Sequence, residues 1–222
     1  MFVETISIWK KYILLINLEG CVIIDTGSPM SFHRSGVITF AGTEHICTRT
    51  LPGIDTTTLS NELDQHVVGL IGMDIMSKYG SIIFDYPNCQ LLIGYEIDET
   101  TLTLLPSGNI MGASYIDLTI EGKNARLFMD TGAPTSYISS SFTNGHEELE
   151  TTHDYHPFYG EFISKTYELT IKVNGQSEKI IFGNLPSILQ MPISMTGADG
   201  VIGYDFFKNH RLLYKQSKWF IL

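Results

Sequence analysis

Cysteine is scarce in this sequence, and the number and positions of the cysteines fit reduced thiols better than a disulfide framework. The chain has 3 Cys among 222 residues, namely Cys21, Cys47 and Cys89, all in the first half. An odd number of cysteines within or beside apolar segments is typical of reduced structural thiols. We therefore expect the chain to fold in a reducing compartment.

The sequence has few basic side chains and no long apolar segment. The 14 Lys and Arg residues stand against 24 Asp and Glu, which gives a formal net charge of −10. Without a basic cluster, neither nucleic acid nor an anionic membrane surface is expected as a partner, because both attract positive charge. No apolar run approaches the roughly 20 residues that a membrane-spanning helix requires.

The amino terminus lacks the features of an exported protein. Residues 1–4 (Met-Phe-Val-Glu) have no basic segment followed by an apolar core, so they do not resemble a signal peptide. The sequence also contains no Asn-x-Ser/Thr glycosylation site. These absences predict a cytoplasmic protein, although a mature chain from which such segments had been removed would read the same.

A repeated motif dominates a composition that is otherwise that of a globular protein, with 43% hydrophobic and 17% charged residues. Residues 25–32 read Asp-Thr-Gly-Ser-Pro-Met-Ser-Phe and residues 130–137 read Asp-Thr-Gly-Ala-Pro-Thr-Ser-Tyr, so the copies differ at three positions. Each copy follows three apolar residues, which predicts a buried strand that ends in a carboxylate. Such a carboxylate is costly unless it is paired or hydrogen-bonded, so two of them suggest that they meet.

A second pair of matching segments lies downstream of the first. Residues 69–76 read Gly-Leu-Ile-Gly-Met-Asp-Ile-Met and residues 200–207 read Gly-Val-Ile-Gly-Tyr-Asp-Phe-Phe. The same order of segments in both halves indicates duplication of one unit. We predict an amino-terminal lobe over residues 1–94, a connection over 95–112 and a carboxy-terminal lobe over 113–222.

The remaining segments predict strands and a few short helices, and hence an all-β protein. Asn174-Gly175 separates two apolar segments and is a strong signal for a hairpin turn. The polar stretch 55–65 begins with turn-forming residues and could hold a short helix. Trp9 and Trp219 are expected in the core.

This arrangement resembles the two-lobed aspartic peptidases of the pepsin and retropepsin superfamily, in which each lobe supplies one Asp-Thr-Gly loop. The resemblance implies a pepsin-like fold with two β-barrel lobes related by a pseudo-twofold axis and an active site in the cleft between them. It also implies an aspartic endopeptidase that acts on an extended peptide or protein substrate, with Asp25 and Asp130 as catalytic residues and no cofactor. Because one chain carries both loops, we expect a monomer.

Paired carboxylates fit this chemistry. Hydrolysis of a peptide without a metal needs a base for water and an acid for the carbonyl oxygen, and two carboxylates that share one proton supply both. Gly27 and Gly132 permit a tight turn and let backbone N–H groups approach the carboxylates. The resemblance implies that Thr26 and Thr131 hydrogen-bond across the junction of the lobes.

Ser28 and Ala133 follow the two glycines and differ from each other. The resemblance implies that the Ser28 hydroxyl donates to the outer oxygen of Asp25, whereas Ala133 has no hydroxyl to donate to Asp130. Loss of a donor to the charged form raises a carboxyl pKa, so Ala133 would extend activity towards neutral pH. Alternatively, Ala133 is only a packing choice.

The cover of the cleft is expected from the second lobe. Asp25 and Gly72 are 47 residues apart, whereas Asp130 and Gly203 are 73 apart, so the second lobe has more length to spare. Its segment 152–164 reads as an aromatic hairpin tip, with the candidate covering residues Tyr155, Phe158, Tyr159 and Gly160.

The sequence allows two other interpretations. A peptide-binding or regulatory module that kept the fold without useful turnover fits the short first lobe, but the presence of both aspartates argues against it. Residues 153–156 (His-Asp-Tyr-His) contain metal-ligand types, yet no third and fourth ligands stand at a supporting spacing. No metal site is therefore predicted.

Overall fold

A computed structural model describes residues 1–156 and 159–222, and the chain is mostly β, as predicted. The first half contains the strands β1 (Phe2–Thr5), β2 (Ser7–Trp9), β3 (Tyr12–Asn17), β4 (Gly20–Ile24), β5 (Phe32–His33), β6 (Val37–Phe40), β7 (Thr43–Ile46), β8 (Val67–Ile71), β9 (Ile82–Asp85) and β10 (Gln90–Ile93). Its helices are α1 (Thr56–Leu63) and the single turn α2 (Met73–Met76). Helix α1 lies in the predicted stretch, and the Asp55 carboxylate caps it by accepting from the Thr58 N–H.

The second half has longer strands. A 3-10 turn (Glu99–Thr101) leads into β11 (Thr103–Leu105), β12 (Ser107–Ile110), β13 (Ala113–Ile120), β14 (Lys123–Met129), β15 (Ser136–Ile138), β16 (Thr151–His156), β17 (Gly160–Val173), β18 (Gln176–Asn184), β19 (Gly200–Ile202), β20 (Arg211–Lys215) and β21 (Lys218–Ile221). The helices are α3 (Ser140–Thr143), α4 (Ser187–Met195) and α5 (Tyr204–Phe207). The predicted turn at Asn174-Gly175 is confirmed, since both residues have positive φ values, 51° and 75°, and join β17 to β18.

Two sheets, one in each half, are built around a parallel strand pair. In the five-stranded sheet β2-β3-β4-β8-β5, β4 runs parallel to β8 and β5 runs antiparallel to it. In the eight-stranded sheet β12-β13-β14-β19-β15-β18-β17-β16, β14 runs parallel to β19 and β15 runs antiparallel to it. Because β4 and β14 each precede an Asp-Thr-Gly segment, the two segments leave their sheets at equivalent positions.

A third sheet joins the two ends of the chain. Its order is β1-β10-β9-β20-β21-β11, so the carboxy-terminal hairpin pairs with the first half through β20 and β9. The predicted connection 95–112 is partly strand: β11 pairs with β21 in this sheet, and β12 pairs with β13 of the second half. This one sheet therefore contains strands from both of the predicted lobes, 1–94 and 113–222, and from the connection between them.

The largest apolar cluster contains residues from both halves. Trp219 is fully buried in it, as predicted, and its indole N–H donates to the Ser114 hydroxyl at 3.0 Å. The prediction for Trp9 was wrong, because this residue is 41% exposed and lies at the edge of its sheet, where its indole donates to the Leu63 carbonyl. Among the helices of the described ranges, none is long and apolar enough to cross a membrane.

Candidate active site

The two Asp-Thr-Gly segments begin where the two parallel strand pairs end. The Asp25 N–H donates to the Ile71 carbonyl at 3.0 Å, and the Asp130 N–H donates to the Ile202 carbonyl at the same distance. Each aspartate is thus an extension of a buried strand, and its main chain is fixed by the neighbouring strand. This is the local geometry that an apolar run followed by Asp-Thr-Gly predicts.

Thr26 and Thr131 connect the two segments directly. The Thr26 N–H donates to the Thr131 Oγ1 at 3.0 Å, and the Thr131 N–H donates to the Thr26 Oγ1 at 3.0 Å. Each hydroxyl also donates to a carbonyl of the opposite half, Thr26 to Met129 and Thr131 to Ile24, both at 2.8 Å. Both threonines are fully buried, so these four hydrogen bonds lie out of water and fix the two segments relative to each other.

The two glycines allow the carboxylates to approach each other. A Cβ atom added to Gly27 would lie 2.3 Å from the Asp130 Cγ, and one added to Gly132 would lie 2.6 Å from the Asp25 Cγ. Each carboxylate therefore lies against the glycine of the opposite segment, where no other residue would fit. In this position the Asp25 and Asp130 side chains are hydrogen-bonded to each other.

The two carboxylates do not receive the same number of donors. Asp25 Oδ1 accepts from the N–H groups of Gly27 and Ser28, both at 2.9 Å, whereas Asp130 Oδ1 accepts from Gly132 alone, at 2.8 Å. The Ala133 N–H donates to the main-chain carbonyl of Asp130 instead. Asp25 is therefore the better stabilised of the two as an anion.

Both carboxyl groups have raised pKa values, and burial is the main cause in each. Burial raises the pKa of Asp25, while the hydrogen bond with Asp130 and the two N–H donors oppose that change. For Asp130, burial, the charge of Asp25 and the hydrogen bond with Asp25 all raise the pKa, and only the Gly132 N–H opposes them. The extra backbone donor thus favours Asp25 as the anion of the pair and Asp130 as the carboxyl that holds the proton.

The prediction for the Ser28 hydroxyl was wrong. This hydroxyl donates to the Met30 carbonyl at 2.8 Å, and Ser28 supports Asp25 through its backbone N–H only. Because the Ser28 hydroxyl does not donate to Asp25, the absence of a hydroxyl at Ala133 does not remove an equivalent donor from Asp130. The difference between Asp25 and Asp130 comes from the backbone N–H groups and not from the side chains that follow the glycines.

A cleft of about 790 Å³ lies over the carboxylates and is lined by residues of both halves. The first half contributes Tyr12, Leu51, Ile54, Leu59 and Glu62, and the second contributes Tyr137, Asp154 and the α4 residues Ile188, Leu189 and Ile193. Most of these side chains are apolar. A volume of this size is typical of sites that enclose a ligand of several hundred daltons.

The β16–β17 hairpin also contributes to the cleft. Tyr155, His156 and Tyr159 line it, and Gly160 begins β17 with a φ of 84°. The fourth predicted covering residue, Phe158, lies outside the described residues. No described residue of the β6–β7 hairpin, its counterpart in the first half, lines the cleft.

Several cleft residues were not anticipated from the sequence. Tyr12 of β3 lines the cleft, and burial together with the charges of Asp154, Glu62, Asp130 and Asp25 raises its pKa well above the ordinary value of 10. Helix α4 was missed altogether. Within the described residues, no group of three or more His, Cys, Asp or Glu side chains is arranged to hold a metal ion.

Comparisons with known proteins gave matches among solved structures. A scan against protein-family models and a search of curated proteins found no match. Among solved structures, EIAV protease complexed with the inhibitor HBY-793 is 18% identical with a TM-score of 0.35, covering 46% of this chain and 90% of that one. A retropepsin-like aspartic protease from Rickettsia conorii is 16% identical with a TM-score of 0.42, covering 54% and 89%. Simian Foamy Virus (mac) protease is 20% identical with a TM-score of 0.27, covering 36% and 94%. At these levels of similarity, function is inferred from the site and not from these proteins.

Proposed function

We propose that the chain is an aspartic endopeptidase in which Asp25 and Asp130 activate water against a peptide bond. The observation that carries this proposal is the contact of two carboxylates within a cleft that both halves line, with Asp25 held by two backbone N–H groups, Asp130 by one, and each against the opposite glycine. We further propose that the two halves are duplicates of one unit in a two-lobed, pepsin-like arrangement, since their loops carry matching hydrogen bonds.

The unequal hydrogen bonding of the two carboxylates divides the work between them. Asp25, the better stabilised anion, takes a proton from water while the water oxygen attacks the scissile carbonyl carbon, and Asp130 gives its proton to the carbonyl oxygen. In the second step Asp25 returns its proton to the amide nitrogen, Asp130 recovers one from a hydroxyl of the tetrahedral carbon, and the C–N bond breaks. The proton count balances, and neither a cofactor nor a covalent intermediate is required.

The proposed substrate is an extended segment of peptide or protein. The cleft runs between the halves and is lined mainly by apolar side chains, among them those of α4, so side chains of the same kind would pack in it. Tyr155 and Tyr159 of the β16–β17 hairpin would cover the bound segment from the second half. The chain carries both carboxylates, so a monomer suffices for this reaction.

Cleavage of a denatured protein from about pH 3 to 8 tests the proposal, with the wild-type chain beside Asp25→Asn and Asp130→Asn. Each substitution keeps the size of the side chain and removes the acid or base, so each is expected to reduce the rate by about 10³-fold or more. Asp98→Asn is the matched control, because Asp98 is an exposed cap of the 3-10 turn and Asn caps equally well.

The alternative, a peptide-binding module without turnover, makes a different prediction for the same proteins. A folded wild-type chain that binds peptide, cleaves nothing at any pH and binds as well after Asp25→Asn would refute the endopeptidase proposal. Cleavage that persists in either aspartate variant would refute it as well, because the dyad would then not be the reacting group.

A further inference from the structure

The outer part of the β16–β17 hairpin is a two-stranded arm. Residues 151–156 pair with 160–165 only, in a register that runs from Thr151 opposite Lys165 to His156 opposite Gly160. From Thr166 onwards, β17 pairs with β18 instead. An isolated two-stranded hairpin is at best marginally stable in water, so other contacts must hold this arm at the cleft.

Tyr137 contacts one residue on each strand of the arm. Its hydroxyl donates to Asp154 Oδ2 on β16 at 2.6 Å, and its ring lies 5.6 Å from the ring of Phe162 on β17, centroid to centroid. Asp154 and Phe162 are directly opposite each other in the strand register. One side chain therefore engages both members of a cross-strand pair, and its hydrogen bond to a carboxylate is of the stronger, charge-assisted kind.

Tyr137 is buried in a central strand of its sheet and lines the same cleft as the dyad. It lies seven residues after Asp130 in β15, between β19 and β18, and is only 6% exposed. Its ring lies over Gly183, where an added Cβ would come within 2.5 Å of the Tyr137 Cε1. The arm is thereby held by a strand that continues directly from the Asp130 loop.

We propose that Tyr137 is a positioning residue that holds the arm over the Asp25–Asp130 dyad through Asp154 and Phe162. Its effect on cleavage rests on the proposed endopeptidase function, whereas its effect on the arm does not. Tyr155 of the arm and the neighbouring Tyr159 line the cleft. Loss of the Tyr137–Asp154 hydrogen bond should therefore weaken the binding of substrate more than it slows the chemical step.

Tyr137→Phe is the variant that tests this proposal, because it keeps the ring and removes only the hydroxyl. Amide hydrogen exchange of the full chain is expected to be faster by about tenfold or more in residues 151–156 and 159–165, and unchanged in β13 and β14. In cleavage of a peptide substrate, KM is expected to rise about tenfold while kcat stays within about twofold. Tyr115→Phe is the matched control, because the Tyr115 hydroxyl makes no hydrogen bond among the described residues, and it should change neither readout.

The two readouts separate failure of this inference from failure of the proposed function. Unchanged exchange in the arm of a folded Tyr137→Phe chain overturns the inference, whether or not the protein cleaves peptides. A fall in kcat with unchanged KM also overturns it, because the hydroxyl would then act on the reaction itself. If the wild type cleaves nothing, the endopeptidase proposal fails while the exchange measurement still decides the role of Tyr137. Should Tyr137→Phe not fold, Asp154→Ala removes the acceptor of the same hydrogen bond, and hydrogen exchange of the arm is measured in the same way.

Discussion

Gly27 and Gly132 each leave no room for a Cβ atom beside the opposite carboxylate, and the size of this overlap allows a quantitative prediction. In Gly27→Ala, the new methyl carbon would lie 2.3 Å from the Asp130 Cγ and 2.4 Å from its Oδ2. Non-bonded carbon atoms are best separated by about 3.5 Å or more, so the Asp130 carboxylate must retreat by roughly 1 Å. In Gly132→Ala the corresponding distance to the Asp25 Cγ is 2.6 Å, and the required retreat is slightly smaller.

A displacement of this size should be seen in the rate. A misplacement of about 1 Å in a catalytic group costs on the order of 10²-fold in activity, and we expect losses of that order in both variants, the larger in Gly27→Ala. The assay is the initial rate of cleavage of a denatured protein at the pH where the wild type is fastest. A thermal unfolding curve for each variant establishes that the chain is folded.

Gly80→Ala is the matched control for this prediction. An added Cβ at Gly80 would meet no atom within 4 Å, and its φ lies outside the range that disfavours other residues, so rate and stability should both stay at the wild-type level. The reasoning is refuted if Gly27→Ala is folded and cleaves within about threefold of the wild-type rate, because a displaced carboxylate could not do so.

Three further predictions follow from the contacts of the dyad loops. Thr26→Val removes a fully buried hydroxyl that makes two hydrogen bonds to the opposite half, so the free energy of unfolding measured in urea should fall by roughly 2–5 kcal/mol, while Thr26→Ser should lose less than half as much. Ala133→Ser should leave the alkaline limb of the pH–rate profile in place, because the equivalent Ser28 hydroxyl donates to Met30; a limb that moves to lower pH would restore the role first assigned to Ala133. The raised pKa of Asp130 makes the folded chain hold a proton that the unfolded chain releases near the ordinary value of 3.8, so the contribution of Asp130 to wild-type stability should decline as pH rises from there through the folded pKa. Asp130→Asn has no such proton, and its melting temperature relative to wild type should therefore rise with pH; a constant difference would contradict this.

The parts of the fold that sequence predicted are those in which local chemistry decides the structure. Asn174-Gly175 adopts positive φ values at little cost, so the turn between β17 and β18 does not depend on distant contacts. The segments before Asp25 and Asp130 are apolar on both faces, which fits strands that are buried in the middle of a sheet. The turn and the apolar segments were therefore sufficient to predict the all-β class and the β17–β18 hairpin.

Other features depend on contacts that no local pattern encodes. Helix α4 was missed because it is apolar, begins after Pro186 and contains Pro192, which removes the periodicity and the capping signals of a helix. Trp9 was assigned to the core on size alone, yet its indole N–H finds the Leu63 carbonyl at a sheet edge. The pairing of the carboxy-terminal hairpin with β9 likewise joins strands more than a hundred residues apart.

The difference between the two carboxylates arises from a main-chain detail of this kind. The donors to Asp25 and Asp130 differ by one backbone N–H group, although the threonine bonds of the two loops match. Burial is the largest cause of the raised pKa of Asp130, the charge of Asp25 is the next, and the charge of Asp154 adds to them in the same direction. Asp154 is also the carboxylate to which the Tyr137 hydroxyl donates, so the residue that contacts Tyr137 in the proposed arm also carries a charge that bears on Asp130.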